Sequence, residues 1–276
     1  MSQNPAAAPP NWYPDPMGRH QLRYFDGTQW TEHVSSGGVQ GVDPLQPGAV
    51  PVAAQDATRH QKQLDRAGVV AGAVQGGGSI FTEPVLVVNQ KAKFIEINNE
   101  YAIFDQHGTQ IGAIRQVGQS AVKKAMRVLT SLDQFMTHSL QIVDMTGAVQ
   151  LTVTRPAKLI KSKFSIGDAT GREIGQIVQK NMIGKIRFGL ETNGQEIGSL
   201  NAENWRAWNF NICDASGVEI ARVTKTWEGL AKTLFTSADN YVIQMHRPLE
   251  DPLRSLVVAS ALSVDTALKQ DQRGFN

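Results

Sequence analysis

The sequence predicts a mainly β protein: a closed antiparallel barrel of about twelve strands around a C-terminal hydrophobic helix, plus a small N-terminal β module. Three observations support this fold class. They are a recurring turn motif flanked by alternating apolar residues, a short apolar segment near the C-terminus, and an aromatic-rich stretch near the N-terminus. The composition agrees, because 41% hydrophobic and 19% charged residues are typical of a globular protein with some linker.

The aromatic stretch at residues 11–34 predicts the small β module. Asp-Pro-Met-Gly and Phe-Asp-Gly-Thr are turn signals, and the runs on either side of Asp26-Gly27 are typical of two short strands. A stretch this short buries little surface, and aromatic packing therefore has to hold it together. These side chains form either a peptide-binding face or a self-contained structural core; the residues concerned are Trp12, Tyr13, Tyr24 and Trp30.

The same stretch has a recognisable beginning and end. It opens with Trp-Tyr-Pro-Asp-Pro and closes with Trp-Thr-x-His. In both respects it resembles a short N-terminal module of unknown function that many bacterial membrane-associated proteins carry. The resemblance implies an association with membranes and no particular activity.

Residues 35–78 predict a flexible linker. Gly, Pro, Ala, Val and Gln dominate the segment, which closes with Gln-Gly-Gly-Gly-Ser. Within it, RHQKQLDRAGVVAGAV can form a short amphipathic helix. The pattern changes to strands at about residue 80, so we place the main domain at residues 80–270.

A turn motif recurs along the main domain and predicts serial β-hairpins. In Asp-x-x-Gly, the Asp side chain closes a tight turn and the Gly supplies a positive φ. Alternating apolar residues flank the turns, such as Phe210 and Ile212 before one turn and Leu151 and Val153 after another. Consecutive hairpins without long helices between them form an antiparallel meander, and closure into a barrel removes its edges.

The apolar segment 253–268 predicts a helix at the centre of this barrel. A bilayer span needs about 20 apolar residues, whereas Arg254 and Asp265 bracket a charge-free run of only ten. A barrel of about twelve strands is too wide for its own side chains to fill. A 16-residue helix is about 24 Å long and therefore matches the height of such a barrel. Its serines, such as Ser260 and Ser263, can bond back to helix carbonyls.

With these elements in place, the chain resembles the phospholipid scramblase-related family, which shares the tubby-like fold with LURP-one-related proteins. The resemblance covers roughly residues 80–270. It rests on the segments FDQHGTQIGAI, VDMTGAVQLTVTRP and TSADNYVIQMHRPLEDPLRSLVVASALSVD. It implies a twelve-stranded antiparallel barrel around a hydrophobic helix, and a protein that interacts with phospholipid.

The resemblance also implies where calcium binds in the family, just before the last helix. The matching positions are Asp239, Asn240, Glu250 and Asp251, but Ser237 stands where a carboxylate is expected. Calcium needs several oxygen ligands around one centre, including carboxylates. We therefore expect no cofactor and no calcium binding at micromolar concentration.

The sequence lacks the cysteine-rich stretch of the family's eukaryotic members and also lacks common catalytic motifs. Eukaryotic members carry a cysteine-rich palmitoylated stretch, which Cys213 alone cannot supply. No histidine pair has metal-ligand spacing, no Gly-rich loop leads into a helix, and no Gly-x-Ser-x-Gly elbow occurs. We therefore expect a protein without catalytic residues.

Basic residues cluster in three stretches and predict a cationic face if neighbouring hairpins align them. The net charge of +2 gives no support for a nucleic-acid partner, but each Lys or Arg near an anionic leaflet contributes about 1 kcal/mol. An ordinary solvated exterior is the alternative. The residues are Lys123, Lys124, Arg127, Arg155, Lys158, Lys161, Lys163, Lys180, Lys185 and Arg187.

The sequence thus favours a scramblase-like protein that binds anionic phospholipid at a membrane face and assists transbilayer phospholipid movement. The alternative is a non-enzymatic scaffold of tubby-like fold that docks on lipid or protein, with the aromatic module as a second contact. The first ten residues have no basic start and no apolar core, so we expect a cytoplasmic protein on the inner face of the plasma membrane.

Overall fold

The computed structural model describes most of the chain. The described residues are 9–17, 19–43, 45, 50, 52–53, 56–90, 99–117, 138–156, 162–181, 184–203, 209–226 and 240–271.

The N-terminal module is a four-stranded antiparallel sheet with the strands in sequence order. The predicted hairpin is present as β2 (Leu22–Phe25) and β3 (Trp30–Ser36). Two strands of four residues each flank it, β1 (Asn11–Pro14) and β4 (Val39–Val42). The sequence does not reveal these outer strands, because four residues are too few to show a period-2 pattern.

The main domain is a closed antiparallel barrel of twelve strands, as predicted. Each strand pairs with its neighbours in sequence, and β16 pairs with β5 to close the barrel. Outward and inward side chains alternate along each strand. The strands are β5 (Val85–Gln90), β6 (Asn99–Phe104), β7 (Gln110–Val117), β8 (His138–Asp144), β9 (Val149–Arg155), β10 (Lys163–Gly167), β11 (Glu173–Gln179), β12 (Arg187–Thr192), β13 (Gln195–Ala202), β14 (Asn209–Asp214), β15 (Glu219–Thr226) and β16 (Asn240–Met245).

Four hairpins share one turn built on the predicted Asp-x-x-Gly motif. In each, Oδ1 of the Asp accepts the backbone N–H groups two and four residues further on. The Gly donates its N–H to the Asp carbonyl and has a φ between 83° and 85°. The shared hydrogen bonds explain why the motif recurs. The four turns start at Asp105, Asp144, Asp168 and Asp214.

The helix α2 (Leu253–Asp271) fills the barrel and begins where the sequence predicts. Residues 255–263 are all buried, and Leu256 and Val258 belong to the same core cluster as the inward side chains of the strands. Ser260 and Ser263 donate to the carbonyls of Val257 and Ala259, as expected. The bonds satisfy these hydroxyls inside an apolar core.

The barrel wall is shaped to admit this helix. A Cβ at Gly175 would lie 3.1 Å from the side chain of Leu256, and one at Gly198 would lie 3.3 Å from that of Leu253. These contacts are tighter than ordinary van der Waals separation, so glycine lets the wall approach the helix closely. The fit makes the helix part of the barrel core.

The segment 35–78, expected to be a flexible linker, contains secondary structure. Besides β4, it forms the helix α1 (Ala57–Ala67), capped by Asp56 at its start and by Gly68 with a φ of 71° at its end. Leu64 is fully buried in a cluster with outward side chains of β5, β6 and β16, among them Val87. We call residues 50, 52–53 and 56–79 the strap, because their buried side chains pack on the barrel exterior.

Candidate functional site

The barrel has two ends, and the up-and-down order of the strands decides at which end each connection lies. The four Asp-x-x-Gly turns and the Asn193-Gly194 turn follow even-numbered strands, so they lie at one end, which we call the Asp-turn end. The predicted basic residues that the structure describes lie at or just beyond the ends of odd-numbered strands or at the starts of even-numbered ones, which is the opposite end. Lys123, Lys124, Arg127, Lys158 and Lys161 are outside the described residues.

Arg155 does not contribute to an exposed basic face. It is 3% exposed, because it continues the inward-facing series of Leu151 and Val153 on β9. The period of 2 along a strand puts these three side chains on one face. The register of β9 therefore buries Arg155, which leaves it no exposed side chain to add to a cationic surface.

Lys180 and Arg187 are exposed in part but are paired with acidic residues. Lys180 forms ion pairs with Glu191 and with Glu196, the latter at 3.1 Å between Nζ and Oε2, and Arg187 pairs with Glu196. The hydrogen bond to Glu191 raises the pKa of Lys180 against the opposing effect of burial. The two carboxylates compensate the two cations, so this cluster adds little net positive charge.

Two described residues of the predicted face remain exposed lysines. Lys163 begins β10 and Lys185 precedes β12, and both are at the end of the barrel opposite the Asp turns. Lys163 lies next to the segment that contains Lys158 and Lys161 in the sequence. The described cationic surface is thus smaller than the one predicted.

The predicted calcium residues do not converge in the described structure. Asn240 begins β16 and is fully buried, whereas Glu250 is exposed. Asp251 precedes α2 and accepts hydrogen bonds from the backbone N–H and the hydroxyl of Ser255, at 3.2 and 2.6 Å. Burial raises the pKa of Asp251, but the hydrogen bonds from Ser255 and Arg254 outweigh burial and lower that pKa below its ordinary value. Asp239 is outside the described residues.

Asp251 thus accepts two hydrogen bonds from the first turn of the buried helix, which stabilise that turn. Within the described part of the chain, no group of three or more His, Cys, Asp or Glu side chains is arranged to hold a metal ion.

The module aromatics lie on two faces of the N-terminal sheet. Trp12 packs edge-on against Tyr24, with 5.4 Å between ring centroids. Tyr13, Phe25 and Trp30 pack against one another on the other face. The sequence grouped these rings into one set, but strand alternation separates them.

The module also contains a buried ion network that sequence reasoning missed. Arg23 is fully buried, and its Nε lies 2.8 Å from Oδ1 of Asp15, while its Nη2 lies 2.5 Å from Oδ2 of Asp43. Arg23 also donates to the carbonyl of Thr31, at 3.0 Å. The sequence holds no local signal for this network, because its members are 8 and 20 residues apart.

Cys213 is half-buried at the end of β14. Burial raises the pKa of its thiol, and the nearby carboxylates of Glu219 and Asp214 raise it further. A raised pKa keeps the thiol protonated and unreactive. Among the described helices, none is both long enough and apolar enough to cross a membrane.

Comparisons with known proteins point to one family for the main domain. A model described as Protein of unknown function (DUF2510) matches residues 10–51, which contain the module. A model described as Scramblase matches residues 72–268.

Two curated proteins are similar to the chain. It is 24% identical over 197 residues to "Altered inheritance rate of mitochondria protein 25" of Saccharomyces cerevisiae, covering 60% of this chain and 59% of that protein. It is 22% identical over 236 residues to a phospholipid scramblase family protein of Schizosaccharomyces pombe, covering 80% of this chain and 55% of that protein. The chain thus spans less than two thirds of either relative's length. No solved structure matches it. Because the Scramblase model spans the barrel and most of its central helix, and well over half of the chain, the protein belongs to the Scramblase family.

Proposed function

We propose that the protein is a non-catalytic phospholipid-binding protein that acts at the inner face of the plasma membrane and assists transbilayer phospholipid movement. Family membership supports a phospholipid-related role. The main observation behind the proposal is that α2 is enclosed in the barrel. The most apolar segment of the chain is therefore kept from contact with lipid.

The filled barrel interior leaves the outer surface for phospholipid binding. A headgroup that moved through the barrel would need a polar path, but inward side chains such as Phe164, Ile177 and Phe188 pack with α2 in one apolar cluster. Moving a charged headgroup through such a core is strongly unfavourable. The protein therefore binds phospholipid on its outer surface, and it assists lipid movement by acting on the leaflet from outside.

Exposed lysines at the end opposite the Asp turns supply electrostatic attraction in this proposal. Lys163 is exposed at the start of β10 and adjoins the stretch with Lys158 and Lys161. Replacing these three lysines by Ser is expected to lower partitioning onto anionic vesicles more than a hundredfold, at about 1 kcal/mol per charge. High salt is expected to weaken the binding, because the Debye length falls to about 3 Å at 1 M.

Vesicle flotation tests the proposal. The wild-type protein is mixed with vesicles of phosphatidylcholine, alone or with phosphatidylserine, at low and high salt. Arg172→Ser is the matched control, because the Arg172 side chain is 80% exposed but lies in an Asp turn, far along the barrel from Lys163. Equal binding of the wild type to both vesicle types would contradict the electrostatic part of the proposal.

Transbilayer movement needs a separate measurement. Purified protein is added to vesicles that carry a fluorescent phospholipid in both leaflets, and a membrane-impermeant quencher reports the fraction exposed outside. Facilitated movement makes the inner-leaflet probe accessible over time. Binding without any change in accessibility would favour the alternative of a scaffold that docks on lipid, for which the filled barrel is the supporting observation.

A further inference from the structure

The first ten residues, which we call the tail, have a distinctive composition. They contain Pro5, Pro9 and Pro10, three alanines between the first two of these prolines, and no charged side chain. Prolines bias such a segment toward the extended polyproline II conformation, which has no internal hydrogen bonds. Because this conformation is partly fixed before binding, docking of the tail on a surface costs little entropy. Residues 1–8 of the tail lie outside the described residues.

The last two residues of the tail contact the module. The hydroxyl of Tyr13 donates to the carbonyl of Pro9 at 2.9 Å. Pro10 lies on the β2–β3 turn, where a Cβ at Gly27 would be 3.2 Å from the Cγ of Pro10. Gly27 also has a φ of 96°, so both the turn and the approach of Pro10 favour glycine there. The tail therefore joins the module beside Tyr13.

Tyr13, Phe25 and Trp30 form a cluster that we call the aromatic notch. The rings of Tyr13 and Trp30 have 6.2 Å between centroids and are nearly perpendicular, at 87°. Phe25 is 2% exposed and lies 5.3 Å from Trp30 between ring centroids, whereas Tyr13 and Trp30 are only half-buried. Two of the three rings thus present apolar surface to a ligand. Aromatic-lined grooves are the surfaces on which proline-rich segments dock.

Trp30 also has an unused hydrogen-bond donor. Within the described part of the chain, its indole N–H is buried and has no acceptor. A buried donor without a partner is costly, so a carbonyl that reaches this N–H stabilises the module. A polyproline II segment offers such carbonyls, because they are not used in bonds within the segment.

The tail is long enough to reach across the notch. Neighbouring strands lie about 4.8 Å apart, so β1 and β3 are separated by about 10 Å. Eight residues in the polyproline II conformation span about 25 Å. Because the tail is covalently attached, its effective concentration at the notch is on the order of millimolar. Attachment therefore favours the tail over a free proline-rich peptide.

We propose that the aromatic notch is a binding site for proline-rich segments and that residues 1–8 of the same chain occupy it. The inference goes beyond the proposed phospholipid-binding function and does not depend on it. An apolar site suits this occupant, because the tail has no charged side chain to desolvate. The tail is therefore a built-in competitor of any other proline-rich ligand.

The test supplies the tail as a separate peptide. A variant that lacks residues 1–10 begins at β1 and retains every strand of the module. Near-ultraviolet circular dichroism checks that its aromatic side chains remain packed. A fluorescein-labelled peptide of residues 1–10 is expected to bind this variant, as measured by fluorescence anisotropy. Binding to the full-length chain is expected to be about tenfold weaker, because the attached tail leaves few notches open.

Two substitutions in the shortened variant locate the site. Tyr13→Phe removes the hydroxyl that donates to Pro9 and is expected to weaken peptide binding about fivefold. Tyr24→Phe is the matched control, because Tyr24 packs against Trp12 on the opposite face of the sheet. The control is expected to bind the peptide like the shortened variant itself.

A second peptide tests the need for proline. It carries alanine in place of all three prolines of the tail and is expected to bind the shortened variant about tenfold more weakly, because it is not held in the extended conformation before binding.

Several results would overturn the inference. They are failure of the peptide to bind the shortened variant, equal binding to the full-length chain, equal binding of the alanine peptide, and equal effects of Tyr13→Phe and Tyr24→Phe. Sedimentation velocity covers the remaining case. If the full-length chain self-associates and the shortened variant does not, the tail occupies a second copy, and its assignment to the same chain is wrong. Vesicle flotation measures the proposed function separately from all of these outcomes.

Discussion

At the residue scale, the most constrained group in the module is the guanidinium of Arg23. It is fully buried in a small sheet with little apolar core, and Asp15 and Asp43 compensate its charge. Asp15 also accepts backbone N–H groups from Met17 and His20. A buried charge is tolerated only when paired and hydrogen-bonded in this way. The network therefore links β2 to Asp15, which precedes it in the chain, and to Asp43, which follows β4.

The network predicts that the module loses stability in acid. Burial raises the pKa of Asp15, but the bonds from Arg23, Met17 and His20 outweigh burial and hold the pKa below its ordinary value. A lowered native pKa stabilises the folded state at any pH above the unfolded value of about 3.9. This stability is lost as the pH falls through the native pKa. Tryptophan fluorescence during acid titration measures it.

Asp15→Asn checks the assignment to this residue. Removing one partner of a buried pair costs about 3–5 kcal/mol, so the variant module is expected to unfold in milder denaturant at neutral pH. Asp26→Asn is the control, because Asp26 caps an exposed turn with backbone bonds to Thr28 and Gln29. An Asp15→Asn module as stable as the wild type would mean that Asp43 alone satisfies Arg23.

At the scale of elements, the central helix and the barrel wall depend on each other. A twelve-stranded barrel is too wide for its own side chains to fill, and α2 is too apolar to be exposed to water. The helix is buried along residues 255–263, and glycines at 175 and 198 let the wall approach it. Neither element has a stable environment without the other.

Val258→Asp tests this dependence. Val258 is 3% exposed within the core cluster, so the variant places an unpaired charge inside an apolar barrel. The expected loss is several kcal/mol out of a total of about 5–15 kcal/mol, measured by thermal and urea unfolding. Val218→Asp, at a 57% exposed position, is expected to unfold like the wild type. If Val258→Asp is equally stable, the helix does not lie inside the barrel.

At the scale of the whole molecule, the strap joins the module to the barrel and covers part of its exterior. Leu64 packs against outward apolar side chains of three strands, Gln63 donates from Nε2 to Asn89 at 2.8 Å, and His60 Nε2 lies 3.2 Å from the carbonyl oxygen of Gln106. Few apolar groups of α1 are buried compared with those of the barrel. The strap is therefore a local unit that can open while the barrel remains folded.

We expect Leu64→Ala to promote such local opening of the strap. Truncating a fully buried leucine costs about 2–5 kcal/mol, and the cost falls on docking of the strap because Leu64 packs on the barrel exterior, outside the main core cluster. Limited proteolysis is expected to cut more readily within residues 57–75, while the melting temperature of the barrel changes little. Leu22→Ala, at a 36% exposed leucine of the module, is the control. Cooperative loss of the whole barrel would show that the strap is part of its core.

The sequence by itself determined the elements whose signals are local. Period-2 alternation, the Asp-x-x-Gly turns and an apolar segment too short for a bilayer predicted serial hairpins, a barrel and a central helix, because each depends on residues close together in the chain. The start of α2 at Leu253 and the serine-to-carbonyl bonds inside it follow from the same local information.

Only the tertiary structure decided which side chains share a surface. Closure pairs Tyr241 with Val88, far apart in the sequence, and the register of β9 turns Arg155 inward although it lies in a basic stretch. Glu191 and Glu196 compensate Lys180 and Arg187 only after β11, β12 and β13 have paired. Composition records how many charges a chain carries, but pairing, register and closure decide where each of them lies.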